Sequence, residues 1–415
     1  MHDLYPKFTI ITNSFNRRTL AEHCIRSVLV QSYSNIEYFV IDNGSREPLD
    51  ELIESLNDPR IIYTRHDENQ CLNHLLNTTF EHVTGDYLLW LQDDDALTPD
   101  ALKLVTEYLL LNPSAEILFG GYARYNHDTG AAYPEQGTCG RDSPREPWQE
   151  NSVEILGAIG AHFGLNFGPS KAFAIPASPT TSYFSVDLLT RVRARQRSLW
   201  IPPYGDHSLV MALLYVDKLH ILPAILGLVG DTVVREQTDL TQDRYRRMES
   251  QTFRDSNFLY KGLTIPNCQA TSLVRAYACH VSVTSMYKVL LPTFFIRHAS
   301  AILNDTRITK RTIRDLFEVF PDAVLSCIYF GLAARDAKDL ALLLRKIIAR
   351  CGGSALKRWI AGKRISQAKE TASEAFESTS DSKRFSSILE CAEWINGLNP
   401  PANWRTSLPD LGKVQ

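Results

Sequence analysis

The stretch 8-FTIITNSFNRRTLAEHCIRSVLVQSYSNIEYFVID-42 decides the fold class. It opens with a short β-branched run, Phe8 to Thr12, continues with apolar residues at helical spacing, and closes with the apolar run Ile36 to Asp42. These periods predict a strand, a helix and a second strand. Two apolar strands joined by a helix pair in parallel, and the helix covers one face of the sheet. The stretch therefore predicts a β-α-β unit.

The same alternation continues to about residue 100. A helical segment LDELIESL, a strand IIYT, a helix CLNHLLNTTFEHV and a fourth strand DYLLWLQ follow in that order. Repeated units with nearly all-apolar strands are typical of a sheet that carries helices on both faces. We therefore expect an α/β domain of the Rossmann-like, doubly wound type with a mostly parallel sheet.

Polar residues gather where these predicted strands end. In an open α/β sheet, ligands bind in the crevice outside the carboxyl ends of the strands. Asp, Asn and Ser are also common turn and cap residues, but here four consecutive loops carry them. We expect these loops to form one binding site. They contribute Asn13, Ser14 and Asn16 after the first strand, Asp42 and Asn43 after the second, His66 to Asn69 after the third, and Asp93 to Asp95 after the fourth.

The last of these groups is an acidic run inside 88-LLWLQDDDALTPD-100. Adjacent carboxylates repel one another unless they are solvated or bound to a cation. Thr98 and Pro99 start a helix, which needs one cap residue and not three acids before it. The acids are contiguous and lack a Gly, so they do not fit an EF-hand loop, and Leu97 stands where a haloacid-dehalogenase-type phosphatase would carry Thr. Oxygen ligands of this kind suit Mg²⁺ or Mn²⁺ that holds the diphosphate of a nucleotide.

Composition excludes several classes of protein. The chain has 415 residues, 44% of them hydrophobic and 22% charged, which suits a globular protein of two or three domains. A formal net charge of -3 gives no basic field, so we expect no nucleic-acid partner. The eight cysteines are scattered singly, as for reduced thiols in a cytoplasm. The sequence shows no signal-peptide pattern and no apolar run of about 18 residues, so we expect a cytoplasmic protein.

The first hundred residues resemble the nucleotide-sugar-binding half of family 2 glycosyltransferases, which have the GT-A fold. The resemblance rests on three segments in order: 10-IITNSFNR-17, 26-RSVLVQSYSNIEYFVIDNGS-45 and 77-NTTFEHVTGDYLLWLQDDDALTP-99. It is specific over about residues 7–112, looser to about 240 and absent beyond. The resemblance implies an inverting, metal-dependent enzyme that moves a sugar from a nucleotide diphosphate sugar, with a UDP-sugar the expected donor, to a hydroxyl of a glycan or lipid-linked acceptor in surface polysaccharide synthesis.

The resemblance also implies roles for individual residues. Asp42 would hydrogen-bond the nucleobase, and Asp94 would lie near the ribose or the diphosphate. Asp95 would coordinate the Mn²⁺ or Mg²⁺ ion, and Asp93 would supply a further charge to the metal or the donor. The remaining expected donor contacts are Ser14, Asn16, Arg17, Asn69 and Asn77.

A general base is expected in 203-PYGDHSLVMALLYV-216, where Asp206 stands at the start of an apolar helical segment. The family places its base, often in an acidic pair, at the matching position. An Asp at a helix start is also a common cap, so both interpretations stay open.

The chain departs from the family pattern at four positions, where Gln92, Cys71, Leu76 and Gln237 replace an acid, a Gly, an Arg and a metal-binding His. Two other functions therefore remain. A nucleotidylyltransferase would share the nucleotide-binding domain but needs a Gly-rich phosphate loop after the first strand, which TNSFNRRT lacks. A binding or scaffold protein with a degenerate transferase domain would tolerate all four replacements.

The pattern divides the chain into residues 1–243, with a donor half 1–112 and an acceptor-side half 113–243, and a mainly α-helical C-terminal region 244–415. Within the latter, residues 366–386 read as a flexible stretch ahead of a short helix at ILECAEWING. Seven Lys and Arg residues between 345 and 364 surround Leu, Ile and Trp side chains. They predict either peripheral contact with an anionic membrane or a solvated basic face.

Overall fold

The computed structural model describes residues 5–133, 147–162, 179–201, 205–231 and 383–398, together with most of 272–280. The strands are β1 Phe8–Ser14, β2 Ile36–Asp42, β3 Ile61–Arg65, β4 Tyr87–Trp90, β5 Ala96–Leu97, β6 Ile117–Asn126, β7 Ala131–Tyr133, β8 Trp148–Asn151, β9 Ser182–Ser185, β10 Lys218–Asp231 and β11 Lys383–Arg384. The α-helices are α1 Arg18–Leu29, α2 Asp50–Leu56, α3 Leu72–Phe80, α4 Ala101–Leu111, α5 Ser152–His162, α6 Val186–Gln196 and α7 Ile388–Leu398. Pro179–Thr181 and Gly205–Tyr215 form 3₁₀ helices.

The described strands form one mixed sheet of 11 strands with the main order β11-β7-β6-β9-β4-β1-β2-β3. The four strands predicted from the first hundred residues lie side by side and run parallel, with β1 between β2 and β4 and with β3 at the edge. β9 and β7 add antiparallel pairs, and β10 pairs in parallel with β6 and antiparallel with β5 and β8. The predicted mostly parallel sheet with flanking helices is confirmed.

Period-two burial in the parallel strands creates a core on each face of the sheet. Ile10 and Tyr38 point to one side, where they pack with residues of α1 and α4, while Ile11 and Phe39 point to the other, where they pack with residues of α3, α5 and α6. Strands buried on both faces read as continuous apolar runs, as the sequence of β2 does. The predicted doubly wound arrangement is confirmed.

The chain returns to this sheet near its C-terminal end. β11 pairs antiparallel with β7, and α7 packs against β5 and β10 in a third apolar cluster. The predicted helix at ILECAEWING is confirmed as α7, and residues 383–384 of the stretch expected to be flexible form β11. Residues 383–398 thus share the sheet and core of the N-terminal part, although the sequence assigned them to a separate helical region.

Most of residues 244–382, including the basic residues between 345 and 364, lie outside the described residues, and so does Gln237. Within the described parts of the chain, no helix combines the length and the apolarity needed to cross a bilayer.

Candidate active site

Hydrogen bonds join the loops that follow β1, β2 and β3. Asn16 has a left-handed backbone with φ 56°; its N–H donates to Ser45 Oγ at 3.0 Å, and its Oδ1 accepts from the Arg46 N–H at 2.8 Å. Asn43 in turn pairs with the backbone of Gln70, accepting at 2.8 Å and donating at 3.0 Å. The loops at the carboxyl ends of these strands, around Asn16, Asn43 to Arg46 and Gln70, are therefore joined into one continuous rim, as the sequence predicted.

The acidic run joins the same rim through Asp93. The Ser14 hydroxyl donates to Asp93 Oδ2 at 2.8 Å, and Arg17 donates to Asp93 Oδ1 at 2.8 Å and to Asp94 Oδ2 at 2.5 Å. Ser14, Arg17, Asp93 and Asp94, four of the predicted donor contacts, are thus brought together. Burial raises the pKa of Asp93 to about 6, because its effect and that of Asp94 outweigh the lowering by Arg17. The guanidinium of Arg17 is the cation that the first two acids hold.

Asp95 lies inside the protein and has partners other than Arg17. Its Oδ2 accepts from the Thr180 hydroxyl, and its Oδ1 accepts from the Gly230 N–H at 2.9 Å. Its side chain is buried, and burial together with the neighbouring Asp94 raises its pKa well above the usual range. Asp95 therefore ties the acidic run to β10 and to the 3₁₀ helix Pro179–Thr181.

The sequence predicts a divalent metal ion at the acidic run, so the carboxylates there should converge on one point. Divalent Mg²⁺ and Mn²⁺ need several oxygen ligands that converge on one point. Asp93 and Asp94 instead converge on Arg17, while both oxygens of Asp95 are engaged by Thr180 and Gly230. Among the described residues, no three His, Cys, Asp or Glu side chains are grouped to hold a metal ion. The residues do not fit the ion in this conformation.

Asp42 lies at the end of β2 and is fully buried. Its Oδ1 accepts from the Ser45 N–H at 2.8 Å and its Oδ2 from the Leu49 N–H at 3.1 Å. These bonds shape the turn after β2, in which Gly44 has φ 79° and a Cβ would lie 2.6 Å from the carbonyl carbon of Glu68. Asp42 is thus a backbone-binding residue of the rim, and its contact with a nucleobase stays a prediction.

The other two predicted donor contacts differ in their surroundings. Asn69 is exposed in the loop after β3, on the rim. Asn77 lies on α3, where its side chain accepts from the Leu199 N–H at 2.8 Å and donates to the Trp200 carbonyl at 3.0 Å. Asn77 therefore holds the segment 199–200 against α3.

Asp206 lies in the first turn of the 3₁₀ helix Gly205–Tyr215, so the predicted helical segment is present with a tighter winding. Its Oδ1 is 3.0 Å from His207 Nδ1 and accepts from the His207 N–H at 3.0 Å. Gly205 packs so closely that a Cβ would lie 2.3 Å from Oδ1 of Asn73, in the first turn of α3. Since α3 starts directly after the β3 loop, Asp206 lies at the same edge of the sheet as the acidic run.

Sequence reasoning missed three neighbours of the acidic run. Thr180 and Gly230 bind Asp95 from 85 and 135 residues away along the chain. The ring nitrogen Nε2 of His127 is 2.8 Å from the backbone oxygen of Asp94. The local sequence signal at Thr180 is the Thr/Ser-rich segment 178-SPTTSYF-184.

Residues 9–172 match the model of the family described as glycosyl transferase family 2. A putative colanic acid biosynthesis glycosyl transferase of Escherichia coli is 37% identical over 101 residues, which cover 24% of this chain and 36% of that protein. The GalNAc(5)-diNAcBac-PP-undecaprenol beta-1,3-glucosyltransferase of Campylobacter jejuni is 30% identical over 25% of this chain and 34% of its own length.

The matched stretch thus spans about a third of these relatives. A crystal structure of S. aureus TarS 1-349 in complex with UDP-GlcNAc has a TM-score of 0.42 at 13% identity, covering 83% of this chain and 91% of that chain. Residues 9–172, which match the model of glycosyl transferase family 2, contain the rim and the acidic run.

Proposed function

We propose that this chain transfers a sugar from a nucleotide diphosphate sugar to a hydroxyl of a glycan or lipid-linked acceptor. The observation that carries the proposal is the convergence of four strand-end loops on the acidic run, inside the segment that matches the family. This is the edge of an α/β sheet at which nucleotides bind. The relatives named for colanic acid biosynthesis and for an undecaprenol-linked substrate support a role in surface polysaccharide synthesis.

On the donor side, Arg17 is the residue best placed to contact the diphosphate. Its guanidinium has five N–H donors in a planar fork, of which one on each of two nitrogens serves Asp93 and Asp94. The side chain is 23% exposed, so part of the fork faces solvent at the rim. Ser14, Asn16 and Asn69 lie on the same rim and are proposed as further donor contacts.

On the acceptor side, Asp206 is proposed as the general base of an inverting transfer. The base must take the proton of the acceptor hydroxyl from about 3 Å while that oxygen attacks the anomeric carbon and the diphosphate leaves from the other side. Oδ1 of Asp206 contacts both the backbone and the ring of His207, which fixes the carboxylate in orientation. The neighbouring Oδ2 is the atom proposed to receive the proton.

The sequence also predicts that the transfer depends on a divalent metal ion. A divalent ion at the acidic run would have to displace Arg17 from two charge-assisted hydrogen bonds.

The proposal is tested by isothermal titration of the full chain with UDP, GDP and their sugars, in Mn²⁺ and in EDTA. We expect one nucleotide diphosphate to bind and its sugar to be consumed when an acceptor is added. Consumption of a nucleoside triphosphate and a sugar phosphate with release of diphosphate would identify a nucleotidylyltransferase instead. Nucleotide binding without turnover of any sugar nucleotide would identify a degenerate binding protein.

Peripheral contact with an anionic membrane is proposed for the basic residues between 345 and 364, where a lipid-linked acceptor would be met. Each basic side chain near such a surface is worth about 1 kcal/mol. Salt-sensitive co-sedimentation with anionic vesicles, lost when Arg345, Lys346 and Arg350 are replaced by Gln, is the expected result. Absence of binding would remove this part of the proposal.

A further inference from the structure

The acidic run is supported from behind by the C-terminal segment. Ala96 follows Asp95 directly and is buried in an apolar cluster with Ile388, Cys391 and Ile395 of α7. α7 also packs against β10 in the same cluster through Leu228, two residues before Gly230. Asp95 is thus bonded to β10 through Gly230 and is followed directly by β5. Both strands pack against α7.

A reciprocal pair of hydrogen bonds anchors the other end of the loop. The Asp100 N–H donates to Asn396 Oδ1 at 3.2 Å, and Asn396 Nδ2 donates to Asp100 Oδ2 at 2.9 Å. The Ser32 hydroxyl donates to Asp100 Oδ1 at 2.7 Å, so Asp100 is held from both sides. Asp100 lies immediately before α4, where the segment that carries the acidic run ends.

The two ends of the segment 91–100, which carries the acidic run, are therefore fixed in different ways. At its start, the Leu91 N–H donates to the Ile11 carbonyl at 3.0 Å, which continues the pairing of β4 with β1. At its end, Asn396 provides both a donor and an acceptor from 296 residues further along the chain. Short carboxylate-bearing loops bind a ligand well only when the surrounding residues hold them in the productive geometry.

We infer that residues 383–398 are a positioning element of the donor site, which hold the acidic run through Asn396 and the apolar face of α7. The inference rests on the proposed function only for the identity of the ligand. It assigns the C-terminal end of the chain to the same functional unit as the first hundred residues. Asn396 touches no reacting group, and its effect passes through Asp100 and the loop.

The test compares three variants with a matched control. Asn396→Asp places a second carboxylate opposite Asp100 and removes the Nδ2 donor. The double variant Asp100→Asn/Asn396→Asp exchanges the two side chains and restores both bonds, since an amide donor and a carboxylate acceptor face each other again. Asn396→Ala removes both bonds without adding charge. Glu393→Gln, on the exposed side of α7, is the control.

Two readouts keep the inference separate from the proposed function. The first is amide hydrogen exchange of peptides that cover residues 91–100, measured without ligand. We expect Asn396→Asp to speed exchange there about tenfold, Asn396→Ala to do so less, and the double variant and the control to match wild type. The second is the affinity for UDP and GDP, for which we expect the same order with a loss of about tenfold for Asn396→Asp.

Each outcome decides one of the two claims. If wild type binds no nucleotide, the proposed function fails and the exchange data still decide the inference. Faster exchange confined to residues 388–398, or equal loss of affinity in the double variant and in Asn396→Asp, would overturn the inference.

Discussion

One carboxylate at the amino edge and three at the carboxyl edge of the same parallel strands have different surroundings. At the amino edge, Glu37 accepts from Lys7 Nζ at 2.7 Å, from the Thr84 N–H at 2.7 Å and from the Gly85 N–H at 3.1 Å, with the hydroxyls of Thr9 and Thr84 as further donors. Burial alone would raise the pKa of Glu37, but the bonds from Lys7, Thr84 and Thr9 lower it to about 2.

At the carboxyl edge, three acids share one guanidinium and three other donors, from Ser14, Thr180 and Gly230, and burial raises the pKa of Asp93 to about 6. A carboxylate that stabilises a fold is surrounded by donors that favour its charged form, whereas crowded acids with a raised pKa mark a site kept for a ligand. The comparison predicts that substitutions at the carboxyl edge cost function and those at the amino edge cost stability.

The largest effect is expected for Asp206→Asn. Loss of a general base lowers the rate of transfer by about 10²-fold or more, while the affinity for the nucleotide should stay unchanged. The measurement is kcat for sugar transfer beside a titration with the nucleotide. Asp217→Asn, on an exposed residue just beyond the other end of the same 3₁₀ helix, is the control. Transfer at a near wild-type rate would reduce Asp206 to a helix cap.

The next effect is expected for Gly230→Ala. A Cβ at this position would lie 1.9 Å from the Asp94 carbonyl oxygen and 2.6 Å from His127 Nε2, so the acidic run must move. Forced shifts of this kind cost about 1–3 kcal/mol, and we expect nucleotide affinity to fall by about tenfold or more. Gly397→Ala is the control, because its Cβ meets nothing within 4 Å. Unchanged nucleotide affinity would mean that the ligand does not use this part of the rim.

Much of the rim was predictable because its residues follow strands whose periodicity is local. Strand β2 was predicted at its observed bounds, because its apolar run from Ile36 to Asp42 is continuous in the sequence. Thr180, Gly230 and Asn396 could not be found this way, since each reaches the acidic run or its end from 85, 135 or 296 residues away. Bonds of that range depend on the folded topology.

The same limit applies to the metal prediction. Asp93 to Asp95 are adjacent in the sequence, but sequence spacing does not say which partner each carboxylate binds. The left-handed Asn16 places Arg17 over the first two acids, and Thr180 and Gly230 turn the third inward. The different partners of adjacent carboxylates come from distant parts of the chain.

At the amino edge, Glu37→Gln should reduce stability and leave nucleotide affinity unchanged. Charge-assisted hydrogen bonds contribute roughly 1.5–3 kcal/mol, so we expect a loss of about 2 kcal/mol at pH 7 in urea unfolding. Because the folded-state pKa of Glu37 is lowered to about 2, its contribution is present above the usual carboxyl pKa and disappears as the pH falls toward 2. The difference between variant and wild type should shrink over that interval.

Glu22→Gln serves as the control for this series, since Glu22 pairs with Arg26 on the surface of α1, where ion pairs contribute little. A stability loss for Glu37→Gln that stays constant from pH 7 to pH 2 would contradict the assignment of the ionised carboxylate as the stabilising form.

The smallest effect is expected for Arg17→Gln and concerns Mn²⁺ alone. The guanidinium neutralises Asp93 and Asp94 at 2.8 and 2.5 Å, so it competes with any added cation for the same oxygens. Two unit charges 4 Å apart interact by about 4 kcal/mol at an effective dielectric constant of 20, and exposure of the pair reduces this. We expect wild type to bind Mn²⁺ weakly and the variant to bind it about tenfold more tightly, as measured by titration calorimetry.

Arg18→Gln is the control, because Arg18 bonds to the Pro48 carbonyl and Glu51. The opposite result, tight Mn²⁺ binding by wild type that Arg17→Gln weakens, would show that Arg17 supports a metal ion at the carboxyl edge. The difference between Glu37 at the amino edge and the acids at the carboxyl edge would then depend on the metal and not on the arginine.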